Sequence, residues 1–153
     1  MKENSEKRER KFVNEFFLVN QKILVFIQFI PISRTNPPKN GEIIAGLEVK
    51  KLLKRACYDC HSNETKWPDY SYVAPLSWYF VNEVKEGRKH LNFSTWNRLA
   101  PDKQAHMLNA IWLEVEDSDM PPEKYLWIHT EAELSASDKD LIYRWTQGLL
   151  PEY

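Results

Sequence analysis

The sequence predicts an all-α domain behind an N-terminal hydrophobic segment, on three observations. Glycine is scarce, at four in 153 residues, and Leu, Lys, Glu and Trp are plentiful, a balance that favours helices over a turn-rich β fold. Apolar residues recur at helical spacing in several stretches after Gly41. Paired prolines at 37–38 and 121–122 interrupt the chain between those stretches. The length suits one domain with a real core. Net charge is −1, with 21 basic residues against 22 acidic, so no electrostatic footprint for nucleic acid exists. Aromatic residues make up 13% of the chain, with six Trp. A small hydrophobic core accounts for them; rings lining the pocket of a flat apolar cofactor are the sharper alternative.

Residues 1–33 form a charged leader followed by a hydrophobic signal or anchor. Residues 1–11 are strongly charged, and Phe12 to Ile32 is apolar but broken by Glu15, Asn20, Gln21 and Lys22. The clean run, about Ile23 to Phe29, is short for a spanning helix of ~20 residues and nearer to the h-region of an export signal. Lys22 directly before it suits an n-region. No small-x-small cleavage site follows at Pro31-Ile32-Ser33-Arg34, and no Cys is there to carry a lipid. An uncleaved signal anchor is the preferred expectation, ahead of a cleaved signal or an amphipathic helix packed on the domain. Arg34 to Gly41, with Pro37-Pro38, has linker composition, so the globular domain is expected over 42–153.

Within that domain, Ile43, Ile44, Leu47, Val49, Leu52, Leu53 and Ala56 predict a helix from Ile43 to Ala56 that runs straight into Cys57. Trp67 to Ala74 reads as an ordered aromatic loop. Pro75 opens a helix to about Lys89, since Pro is welcome in a first helical turn. Ser94 is expected to cap a short turn to Leu99. Pro101-Asp102 opens a further helix with Ala105, Leu108, Ile111, Trp112 and Val115 on one face. Met120-Pro121-Pro122 must be a loop. Ser135 caps a last helix whose stripe is Leu141, Ile142, Trp145 and Leu149.

Cys57-Tyr58-Asp59-Cys60-His61 is the segment that carries chemistry, and it contains both cysteines of the chain. Two thiols separated by two residues can each bond one vinyl group at a haem edge, and the adjacent imidazole then reaches the iron. The rival readings are weaker. A structural zinc would need two more ligands from His90, His106 or His129, none of which is in an H-x(3–5)-H pair. A thioredoxin-type pair expects alternating strands and helices, and a structural disulfide would close a very small loop. For a second axial ligand, Met107, Met120, His90, His106 and His129 are candidates. Met107 suits packing beside a helical apolar face, and His90 and His129 suit surface positions. Met120 stands out because two prolines can fix its loop, and a thioether opposite imidazole raises a haem's potential. Gap filling is the plain alternative for such a Met.

The stretches Cys-Tyr-Asp-Cys-His-Ser-Asn-Glu-Thr-Lys-Trp-Pro (57–68), Tyr-Ser-Tyr-Val-Ala-Pro (70–75), Val-Lys-Glu-Gly-Arg-Lys-His-Leu-Asn-Phe-Ser (84–94), Met-Pro-Pro (120–122) and Leu-Ser (134–135) resemble the bacterial haem-binding-domain family, a branch of the cytochrome c-like proteins. The resemblance spans about residues 22 to 149. It implies a cytochrome c-like helical fold around one covalent haem c, export across the cytoplasmic membrane, Cys57 and Cys60 as thioether attachment points and His61 as proximal iron ligand. Met120 matches the Met-Pro position of the distal ligand. By the same resemblance, a carbonyl near Pro75 is expected to accept from the His61 ring. Arg88 and Lys89 are read as a solvated basic face, with neutralisation of haem propionates as the alternative. The expected function is one-electron transfer in the periplasm, without enzymatic activity and with no catalytic residues. A haem-based sensor in which Met120 gives way to a gas or peroxide is the alternative, and a zinc or thiol-redox module is the third. Nothing identifies the redox partner; a membrane contact through the N-terminal segment is expected.

Overall fold

The structure is a computed structural model that describes residues 2–149, with side chains described from residue 7 onward. Seven α-helices and four short 3-10 turns account for its regular structure, and no strand is present among the described residues. The chain divides into two compact units: the residues up to Arg34 with Pro68–Val81, and Thr35–Trp67 with Asn82 onward.

In the first unit, α1 (Lys2–Phe26) continues into a 3-10 turn, Ile27–Phe29. The apolar run that looked short is the end of this longer helix, which also takes in the charged leader. Its polar interruptions do not break it, because no proline occurs before Pro31, and Asn20 and Gln28 donate to the carbonyls of Phe16 and Leu24 at 2.9 and 2.8 Å. Lys7–Phe29, 23 residues, is long and apolar enough to cross a membrane, about 35 Å at the helical rise. None of that window is buried. The same unit holds a 3-10 turn, Asp69–Tyr72, and the edge of Tyr70 against Phe80 at 5.2 Å. The first turns of α4 (Leu76–His90) belong here as well, and its last turns lie in the second unit.

The second unit opens with residues 35–41, which have linker composition but are bonded along their length. Arg88 donates to the Thr35 carbonyl at 2.8 Å, Asn63 to the Pro38 carbonyl at 2.9 Å, and the Asn40 amide donates to the Ser94 carbonyl at 3.2 Å. Residues 43–46 are not helical, contrary to expectation. The Ile43 amide instead donates to the Phe93 carbonyl at 2.8 Å, and the residue is buried. Helix α2 is therefore Leu47–Ala56 and buries Val49, Leu52, Leu53 and Ala56. Helix α3 is a single turn, Tyr58–His61. The turn expected at Ser94 is Phe93–Arg98, and Asn92 rather than Ser94 is its cap.

Helix α5 (Pro101–Glu116) buries Ile111 and Val115, while Ala105 faces solvent. A short α6 (Glu123–Leu126) precedes α7 (Ala136–Thr146), where Ser135 and Asp138 form a capping box. Leu149 is outside the α7 stripe because the helix stops at Thr146. Gly148 adopts a left-handed φ of 68°, the Gly148 amide donates to Trp145 O and the Leu149 amide to Arg144 O, a Schellman stop. The core joins Leu52, Leu53, Tyr58, Phe93, Trp96, Ile111, Val115, Ile142 and Trp145. It is thus built from α2, α5, α7 and the turn at Phe93, and Tyr58 inserts the cysteine segment directly into it.

Candidate functional site

The site begins where α2 ends. Cys57 has φ −125° and ψ −32°, outside helical geometry, and its carbonyl accepts from the amides of Cys60 and His61 at 3.3 and 2.9 Å. That single turn brings Cys57, Cys60 and His61 together. The two cysteines are unbonded and half-buried. Burial pushes both up to about 12, the reverse of the lowered thiol that a redox-active C-x-x-C uses.

The His61 ring is fixed by backbone. Its Nδ1 lies 3.0 Å from the Gly87 carbonyl and 3.2 Å from the Leu91 carbonyl. A carbonyl can only accept, so Nδ1 carries the proton and Nε2 carries the lone pair. The acceptor is therefore the C-terminal end of α4 and not a carbonyl near Pro75. The Gly87 carbonyl also accepts from the Leu91 amide at 2.9 Å, and a carbonyl oxygen's second lone pair can take the imidazole as well. Phe93 stands edge-on to the ring at 6.5 Å. Burial holds the imidazole below its usual pKa, against the raising effect of the Leu91 and Gly87 carbonyls, and so favours the neutral, metal-binding form.

The two residues between the cysteines are anchors as well as spacers. Tyr58 stacks on Phe93 at 5.3 Å and 15°. The Asp59 carboxylate accepts from the Lys66 amide and the Tyr125 hydroxyl, each at 2.9 Å, and its carbonyl accepts from the Thr65 hydroxyl at 2.7 Å. After His61, the Asn63 amide donates to the Ser94 hydroxyl at 2.9 Å, and Asn92 donates to the Asn63 side chain at 2.9 Å.

Arg88 is half-buried rather than part of a solvated face. Its guanidinium donates to the Ser62 carbonyl at 2.7 Å and to the Thr35 carbonyl, Asn36 Oδ1 and Thr65 Oγ1 at 2.8 Å each. Lys89 is exposed and pairs with Glu86 at 2.6 Å. Gly87 explains itself by contact: a Cβ there would sit 2.7 Å from the Cys60 carbonyl oxygen. A glycine inside a predicted helix costs about 1 kcal/mol against Ala, and that cost was the signal of close approach available in the sequence. The roles of Tyr58, Asp59 and Arg88 left no such signal.

Met120 is half-buried in the loop after α5. Ser118, at a left-handed φ of 63°, ends that helix, and the amides of Asp119 and Met120 both donate to the Glu114 carbonyl, at 3.0 and 3.1 Å. Met107 packs against the core, His90 and His106 are exposed, and His129 stacks on Tyr125 at 4.2 Å with Glu131 3.1 Å from its Nδ1. Among the described residues, no group of three or more His, Cys, Asp or Glu could hold a metal ion, which removes the support a zinc reading needs.

An oriented imidazole with a defined lone pair beside two unbonded thiols is a donor set that fits haem. The class defined by this site and fold is a helical protein organised around one C-x-x-C-H turn. The family model described as haem-binding domain matches residues 22–148, and the chain belongs to that family. It is a haem-binding protein. No curated protein and no solved structure matches it.

Proposed function

We propose that the chain is a c-type cytochrome that carries single electrons in the periplasm, with one haem bonded to Cys57 and Cys60, His61 as proximal ligand and Met120 as distal ligand. The observation that carries this reading is the His61 ring held at Nδ1 by Gly87 and Leu91, one residue from a thiol and four from the other. The bound haem supplies a ferrous–ferric couple. The residues of the chain do the rest. The C-x-x-C turn fixes two attachment points, and the carbonyls at the end of α4 fix the tautomer and plane of the imidazole. The Glu114 carbonyl pins the backbone of Met120. Were His61 and Met120 both to hold the iron, no open position would be left there for a substrate, which is why we read a carrier and not an enzyme. The N-terminal helix is compatible with a signal or a membrane anchor; we read it as an anchor that leaves the haem unit outside the cytoplasm.

The test is a visible spectrum of the full chain made in cells able to attach haem. Haem that survives acid-acetone extraction, and is lost in Cys57→Ala/Cys60→Ala, is the expected result; extractable haem would refute covalent attachment. In Met120→Ala the potential should fall and the reduced protein should bind carbon monoxide that the wild type resists. Rapid, tight binding by the wild type would favour the sensor reading, and an unchanged spectrum in the variant would remove Met120 from the ligand role.

A further inference from the structure

The first unit contains a surface that the haem site does not use. Between Asp69 and Glu83 the chain has no charged residue, yet part of this stretch faces outward: Tyr72 is 58% exposed, and Val73 and Leu76 are 53% exposed. Single exposed apolar side chains are ordinary, whereas a contiguous run continuous with another apolar surface marks a contact. Here the run continues onto Phe26, Phe29 and Ile30, which are also exposed, at the far end of the candidate span.

The two surfaces are fastened together. The Gln28 carboxamide donates to the Ala74 carbonyl at 3.1 Å and accepts from the Ala74 amide at 2.9 Å. Arg34 Nε donates to the Ser71 carbonyl at 2.7 Å, and its guanidinium lies 4.5 Å over the Tyr72 ring. A polar glutamine within an apolar run is thereby satisfied by the loop. Tyrosine and arginine are the side chains that suit the headgroup level, each with an apolar body and a polar tip. The basic leader, with Lys7, Arg8, Arg10 and Lys11, is at the opposite end of the span, so the positive-inside rule puts the loop on the non-cytoplasmic face.

We propose that Tyr72, Val73 and Leu76 form a second membrane-contact surface, seated in the outer lipid interface and fixed to the end of α1 through Gln28 and Arg34. This rests on reading α1 as a membrane anchor. The test uses the full chain in phosphatidylcholine–phosphatidylglycerol nanodiscs that contain a lipid with a diazirine on its acyl chain. After irradiation, labelled peptides are mapped by mass spectrometry. Label in both α1 and residues 70–79 is expected, with loss of the second in Val73→Asp/Leu76→Asp while α1 stays labelled. Label confined to α1 would overturn the proposal and leave the anchor standing. Absence of label from α1 would overturn the anchor reading and the proposal with it. Label that persists on 70–79 in the double variant would overturn the assignment to these side chains.

Discussion

At Gly87 a helix passes so close to the C-x-x-C-H turn that one added methyl would lie 2.7 Å from the Cys60 carbonyl oxygen. Ala normally stabilises a helix interior relative to Gly by about 1 kcal/mol. Gly87→Ala should do the opposite and destabilise the protein by about 1–3 kcal/mol through overpacking, read from thermal unfolding. Arg88 acts one residue later. Arg88→Gln removes a guanidinium that holds four acceptors around the turn, and the expected loss is about 2 kcal/mol in chemical denaturation. Arg88→Lys should recover only part of it, since an ammonium cannot reproduce the planar fork. The C-x-x-C-H turn itself was legible because its cysteines and histidine stand together in the sequence. Their supports were not, because a backbone carbonyl such as Gly87 or Leu91 has no letter in the sequence, and an arginine that braces reads the same as one that is solvated.

Helix ends show the same limit from another side. The start of α7 was legible from Ser135 because a capping serine has a local chemical cause. The start of α2 was not, because Ile43 is drawn out of the helix by a hydrogen bond to Phe93, a partner fifty residues away in the chain. The capping box also carries a pH dependence. Burial alone would raise the Asp138 carboxyl, but the Ser135 hydroxyl and amide and the Arg55 guanidinium, 2.9 Å away, hold it below the usual aspartate range. A depressed folded-state pKa gives stability that is present above the unfolded value, about 4, and lost as pH falls through the folded one. Asp138→Asn should therefore be about 1 kcal/mol less stable than wild type at pH 7, and denaturation curves should converge below about pH 4.

For the whole molecule, the all-α class followed from composition and periodicity, which are properties of every residue at once. The length of α1 did not follow, because interruptions by Glu15, Asn20, Gln21 and Lys22 weaken a hydropathy reading without weakening a helix. Nor did the bonded state of residues 35–41. Pro37, Pro38 and Gly41 describe a tether, but Arg88, Asn63 and Ser94 hold it down. Trypsin should consequently spare Lys39 in the folded protein and cut there readily in Arg88→Gln, as followed by mass spectrometry of timed digests. For a chain anchored as proposed, a protease could not shed a soluble haem unit by cutting the Pro-rich segment while Arg88 keeps its bonds. Release into the surrounding fluid would then mark molecules whose C-x-x-C-H turn has already come loose, so that, on the proposed anchor, the arginine that steadies this turn would also decide which copies stay at the membrane.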